Sequence, residues 1–134
     1  MQVIKTESVP IKTEADIVQA RQTVRKWATA QAFPLVDQTK IVTAASELAR
    51  NTVIYGKGGT MRLEAINEGI RKGLRLTFED EGPGIADLDR ALTDGFTTGN
   101  GLGLGLSGAK RLSNEFHIES TPGRGTRVMI ARWR

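Results

Sequence analysis

From about Val36 to Tyr55 the apolar residues Ile41, Val42, Ala45, Leu48 and Ala49 recur at helical spacing, and Gly56 with Gly58-Gly59 closes the run. A helix this long with one apolar stripe must lay that stripe on a second layer. The rest of the chain supplies it. Glu7 to Lys12 alternates around Val9 and Ile11 and reads as a strand, with Pro10 placing it at a sheet edge. Thr13 caps a first helix whose positive end holds Glu14 and Asp16 and which runs to about Gln31, where Phe33-Pro34 interrupts. Met61 to Ile66 and Leu74 to Phe78 read as strands, the second delivering Asp80 at its end. A short helix near 87–93, a helix from Leu106 to Leu112, and a hairpin of Phe116–Thr121 with Thr126–Trp133 across Pro122-Gly123-Arg124-Gly125 complete the pattern. The expectation is one α+β domain over residues 1–134: a single-layer mixed sheet with helices packed on one face.

At 134 residues the chain can bury one core without staples. Charged residues at 25% and hydrophobic residues at 39% fit a soluble globular protein. Cysteine is absent, which excludes disulfides, thiolate catalysis and cysteine zinc sites. The first residues lack the apolar run of a signal peptide and no later stretch is long enough to span a membrane, so the expected location is the cytoplasm, without a membrane partner. The net charge of +4 is spread along the chain with no aromatic residues interleaved, so no nucleic-acid partner is expected.

Three motifs follow in order. Glu47 and Asn51 are four apart on the second helix and project from one face; the amide suits Mg²⁺, which takes few protein ligands, and the carboxylate suits a general base. Taken alone, the pair also fits an ordinary helix surface. Asp80 ends an apolar strand, where a carboxylate needs donors such as an adenine amine, and Gly82 and Gly84 let the chain turn tightly beneath a flat base. The same residues compose an ordinary turn. Gly101, Gly103 and Gly105 precede a helix and can bring backbone N–H groups close to phosphate oxygens. They form neither a Walker loop, since no Gly-Lys-Ser or Gly-Lys-Thr follows, nor a dinucleotide fingerprint. In combination and in this order, the three supply what an ATP site requires.

Glu47-Leu48-Ala49-Arg50-Asn51, Asp80-Glu81-Gly82-Pro83-Gly84 and Gly101-Leu102-Gly103-Leu104-Gly105 resemble the N box and the two glycine boxes of the Bergerat-type ATP-binding fold shared by gyrase, Hsp90, histidine kinases and MutL. The resemblance covers nearly the whole chain. It implies that Asn51 holds Mg²⁺, that Asp80 contacts adenine, that the second glycine box hinges a lid over the phosphates, and that Thr126 supports the adenine contact through water.

Within that group, gyrase, Hsp90 and MutL need a transducer domain, for which 134 residues leave no room. Histidine kinases need a phosphoacceptor histidine. His117, the one histidine, reads as a sheet-surface residue facing away from Phe116 and Ile118. Asp16-Ile17-Val18, Ser46 to Asn51, Asp94-Gly95-Phe96-Thr97-Thr98 and Gly108 to Leu112 are similar to the stand-alone bacterial serine/threonine kinases of partner-switching modules. That resemblance implies an ATP- and Mg²⁺-dependent kinase in a stress-response switch. Its partners would be STAS-domain proteins as substrates, a PP2C-type phosphatase and, as an alternative, a sigma factor held by an anti-sigma factor with secondary kinase activity. One departure is the short lid: between Asp87 and Gly101 the one base is Arg90, so Arg50 is the candidate for positive charge near the phosphates.

Overall fold

A computed structural model of the protein describes residues 1–85 and 102–134, with side chains in the last helix described from Leu106 onward. In chain order the described elements are β1 (Gln2–Ile11), α1 (Glu14–Ala30), α2 (Leu35–Ile54), β2 (Gly59–Glu68), β3 (Arg71–Asp80), α3 (Leu102–Arg111), β4 (Glu115–Thr121) and β5 (Gly125–Trp133). The strand order is β1-β2-β3-β5-β4. The α+β class, with helices on one face of one sheet, is as the sequence implies. The sheet is antiparallel in all four pairings, however, and not mixed. Two helices lie between β1 and β2 and bring the chain back to the end where β1 stops, so the strands run opposite ways. The α3 connection does make β3 and β4 run parallel, but β5 folds back from β4 and inserts between them.

Alternation places the core. Met61, Leu63 and Ala65 of β2, Leu74, Leu76 and Phe78 of β3, and Val128 and Ile130 of β5 are buried under the helices. From above, Ile17, Ala20, Val24 and Trp27 of α1 and Ile41, Ala45, Leu48 and Ala49 of α2 close on them. The other face of the sheet carries ion pairs, with the buried Glu64 carboxylate 2.8 Å from Arg75 and Glu79 3.3 Å from Arg127. His117 lies on that face, exposed and 3.0 Å from Glu119, as its place in the strand implies.

The N-terminus of α1 is a capping box: Asp16 N–H donates to Thr13 Oγ1 at 3.2 Å and Thr13 N–H to Asp16 Oδ2 at 3.1 Å. α2 starts after Pro34 with no side-chain cap. Its first turn is tied down from a distance instead, because the Arg132 guanidinium on β5 donates to Asp37 Oδ1 at 2.7 Å and to the Leu112 carbonyl at 2.8 Å. One arginine thus fixes the start of α2 and the end of α3 against the sheet. β1 is five residues longer at its start than the pattern predicts, since Gln2 to Glu7 carry exposed side chains and pair through backbone with β2.

Candidate functional site

The C-terminal half of α2 leans over the ends of β3 and β5, and one pocket opens there. Leu48, Asn51, Thr52, Tyr55 and Gly56 form one wall, Phe78, Asp80, Thr126 and Val128 the floor, and Gly84, Ile85 and Leu106 the rim. Leu48, Phe78, Leu106 and Val128 are core residues, so the pocket is an apolar slot with a few polar atoms.

Asp80 is the most constrained of those. Its Oδ1 accepts from Gly82 N–H at 2.9 Å and Thr126 N–H at 3.2 Å. Its Oδ2 faces Gly56, where a Cβ would lie 2.5 Å away. A Cβ on Gly82 would in turn stand 2.7 Å from the Gly56 Cα. The end of α2 and the loop after β3 therefore interlock through bare backbone, and any side chain at Gly56 would displace the carboxylate. Burial pushes the Asp80 carboxyl above its ordinary value, with the two backbone donors opposing the rise. Between the ordinary and raised values the folded protein keeps a proton the unfolded chain has released, so stability falls as pH rises across that window. Asp80→Asn should remove that contribution. Urea midpoints of the two proteins compared through the weakly acidic range check it, and equal pH slopes refute it.

The turn after Asp80 is held to the β4–β5 hairpin. Gly123 N–H donates to the Pro83 carbonyl at 2.7 Å, and Ile85 N–H to Ser120 Oγ at 2.7 Å. Ser120 Oγ lies 2.8 Å from Thr126 Oγ1 and 3.2 Å from the Gly125 carbonyl, to which it can donate.

Asn51 lines the pocket one turn before Gly56, and its side-chain nitrogen is buried with no partner. A half-turn of the amide exchanges donor for acceptor, so the same position can offer an oxygen instead. Glu47 is half-buried one turn earlier on α2, outside the lining. Arg50 is exposed and also outside it. Gly82 packs beneath the pocket, while Gly84 and Thr126 line it. Gly101, Arg90 and the helix expected at 87–93 lie outside the described residues.

Gly103 and Gly105 fall inside α3, which begins at Leu102 rather than at the expected Leu106. Burial of Leu106 and Ala109 against the core offsets the roughly 1 kcal/mol that each helical glycine costs. The first-turn N–H groups of such a helix have no intrahelical acceptor.

Sequence reasoning missed Tyr55, Gly56, Ile85 and Ser120. Gly56 carried a signal, a glycine at a helix end, but it served as a stop rather than a wall. Ser120 carried none, because its partner Ile85 is 35 residues away.

Those residues fit a nucleotide: an apolar slot, a carboxylate oxygen left over after two backbone bonds, and an unsatisfied amide. Comparison with known proteins agrees with that geometry. Serine/threonine-protein kinase RsbT of Bacillus subtilis (strain 168) is 46% identical over 125 residues, covering 93% of this chain and 94% of that one. The anti-sigma F factor of Thermoanaerobacter sp. (strain X514) is 34% identical over 120 residues, covering 85% and 82%. Among solved structures, the RsbU and RsbW domains of a Mycobacterium tuberculosis protein share the fold with a TM-score of 0.67 at 21% identity, over 98% of this chain and 33% of that one. The SiaB-SiaC complex of Pseudomonas aeruginosa gives a TM-score of 0.57 at 15% identity, over 98% and 91%. With residues 36–134 matching the model of the histidine kinase-, DNA gyrase B- and HSP90-like ATPases, this chain belongs to that ATPase family, in the group of the RsbT kinase and the anti-sigma F factors.

Proposed function

We propose that the protein is an ATP- and Mg²⁺-dependent serine/threonine protein kinase acting as a switch in a bacterial stress-response pathway. It phosphorylates a STAS-domain protein and binds a PP2C-type phosphatase that controls a sigma factor. The observation that carries this reading is the convergence of the Asn51 amide and the Asp80 carboxylate in one apolar slot, on a chain 46% identical to a serine/threonine-protein kinase.

Asp80 Oδ2 accepts from the adenine amine, and Thr126 lies beside it. Asn51 is the protein's ligand for Mg²⁺. Mg²⁺ takes few protein ligands, so one amide would suffice to hold it beside the phosphates of a nucleotide. When bound, the metal neutralises charge on the transferring phosphoryl group. Glu47 takes the proton of the attacking hydroxyl. Gly101, Gly103 and Gly105 cradle the phosphates, and Arg50, next to Asn51 in the sequence, is the candidate for positive charge near them. Residues 1–134 act as one ATPase domain. No helix among the described residues is long and apolar enough to cross a membrane, and a cytoplasmic location supplies the ATP.

Transfer from γ-labelled ATP with Mg²⁺, offered STAS-domain and sigma-factor partners from the same genome, tests this. Label is expected on a STAS serine or threonine, reduced about a hundredfold by Glu47→Gln. Asn51→Ala should weaken Mg²⁺-ATP binding with the fold intact. No label on any partner despite tight ATP binding would overturn the kinase. The similarity to anti-sigma F factors favours a second reading, a sigma-factor-binding protein with secondary kinase activity. Recovery of sigma factor but no STAS protein in a pull-down would select it.

A further inference from the structure

Thr126 lines the pocket, and a hydroxyl there reads a base edge in opposite senses depending on where its own proton points. Ser120 lies behind it and is half-buried. Three contacts converge on Ser120 Oγ, which has one proton and two lone pairs. Ile85 N–H donates to it at 2.7 Å, which uses one lone pair. The Gly125 carbonyl, at 3.2 Å, can only accept, so in that contact the serine proton is the donor. The remaining contact, to Thr126 Oγ1 at 2.8 Å, is then made by the threonine proton entering the second lone pair. All three contacts are satisfied together only in that arrangement.

We propose that Ser120 is a specificity-determining residue for the base: it draws the Thr126 proton backward and leaves Thr126 facing the pocket as a hydrogen-bond acceptor. Thr126 and Asp80 Oδ2 then offer acceptors to the same edge. A 6-amino purine meets them with donor hydrogens, directly or through one water. A 6-oxo purine brings its own acceptor to that position and leaves a lone-pair clash or an unsatisfied atom. Ser120 touches no ligand and acts through Thr126, so it is a positioning residue. The proposal rests on the reading of this pocket as an ATP site.

The test compares binding of ATP and ITP, which differ at the 6-position, to wild type, Ser120→Ala and Ser120→Thr by calorimetry. Without the serine the Thr126 hydroxyl is free to turn and donate, so Ser120→Ala should lower the ATP:ITP affinity ratio about tenfold, mostly through tighter ITP binding. Ser120→Thr restores the hydroxyl and should restore the ratio. An unchanged ratio in Ser120→Ala, or an equal loss of both ligands, overturns the proposal and reduces Ser120 to a tie between loop and hairpin. Should Ser120→Ala not fold, Ser120→Cys, close in size but a weak hydrogen-bonding group, is read in its place by the same criterion. Absence of ATP binding to the wild type would instead refute the ATP-site reading.

Discussion

Asp80→Asn is expected to lower ATP affinity about a thousandfold while leaving the melting temperature at or above that of the wild type. The two effects separate because the carboxylate oxygens do different work. Oδ1 accepts from Gly82 and Thr126, and an amide oxygen can accept from both in the same geometry. Oδ2, beside Gly56, is the atom left to face an adenine amine, and the substitution turns it into a donor. Two donors then meet in an apolar slot, which costs about 4 kcal/mol in lost charge-assisted bonding and unsatisfied hydrogens. Stability does not suffer, because burial of the charge was itself unfavourable, as the raised carboxyl value indicates. The reversed donor should also suit a 6-oxo purine, so ITP is expected to bind this variant better than ATP. Calorimetry with both nucleotides, beside a thermal melt, checks the prediction. A variant that still prefers ATP would show that Asp80 does not read the base.

Gly125→Ala is expected to destabilise the protein by about 4 kcal/mol, lowering the melting temperature by roughly 10 °C or more. The glycine starts β5 at φ 106°, left-handed territory that a side chain resists. The space is worse than the angle. A Cβ there would lie 2.1 Å from the Asp80 carbonyl oxygen and 2.9 Å from the Glu81 Cα, both backbone atoms that cannot swing aside. Either β5 moves off β3 or the end of β3 moves with its carboxylate, so ATP affinity should fall together with stability. Gly123→Ala separates angle from space. It sits at φ 81° in the same turn with nothing within 4 Å of its added Cβ, and should cost only about 1 kcal/mol. Equal melting temperatures for the two variants would refute the steric argument.

How far the fold was legible depended on how local its cause was. α1 and α2 were readable to within a residue or two because a capping threonine, an apolar period and a Phe33-Pro34 break all act inside one stretch of chain. β2, β3 and the β4–β5 hairpin were readable by alternation and glycine-rich turns, with ends extended by pairing. The first half of β1 was not, since Gln2 to Glu7 bury nothing and owe their conformation to the free edge of β2. α3 started early because buried leucine and alanine outweighed its glycines, a balance that only the packed neighbour decides.

The site divides in the same way. The sequence alone determined which chemical groups were present and in what order: Glu47 and Asn51 on one helix face, Asp80 at a strand end, glycines where backbone must approach closely, and Thr126 after the last turn. Those are matters of residue type and short spacing. The tertiary structure alone decided that Asn51 would be left unsatisfied in an apolar slot, that Gly56 would press against the Asp80 carboxylate, and that Ser120 would stand behind Thr126. It also set the sheet antiparallel throughout, by inserting β5 between two strands that run the same way. Such features arise where segments far apart in sequence compete for the same buried space and the same hydrogen-bond partners, and no local pattern records the outcome of that competition.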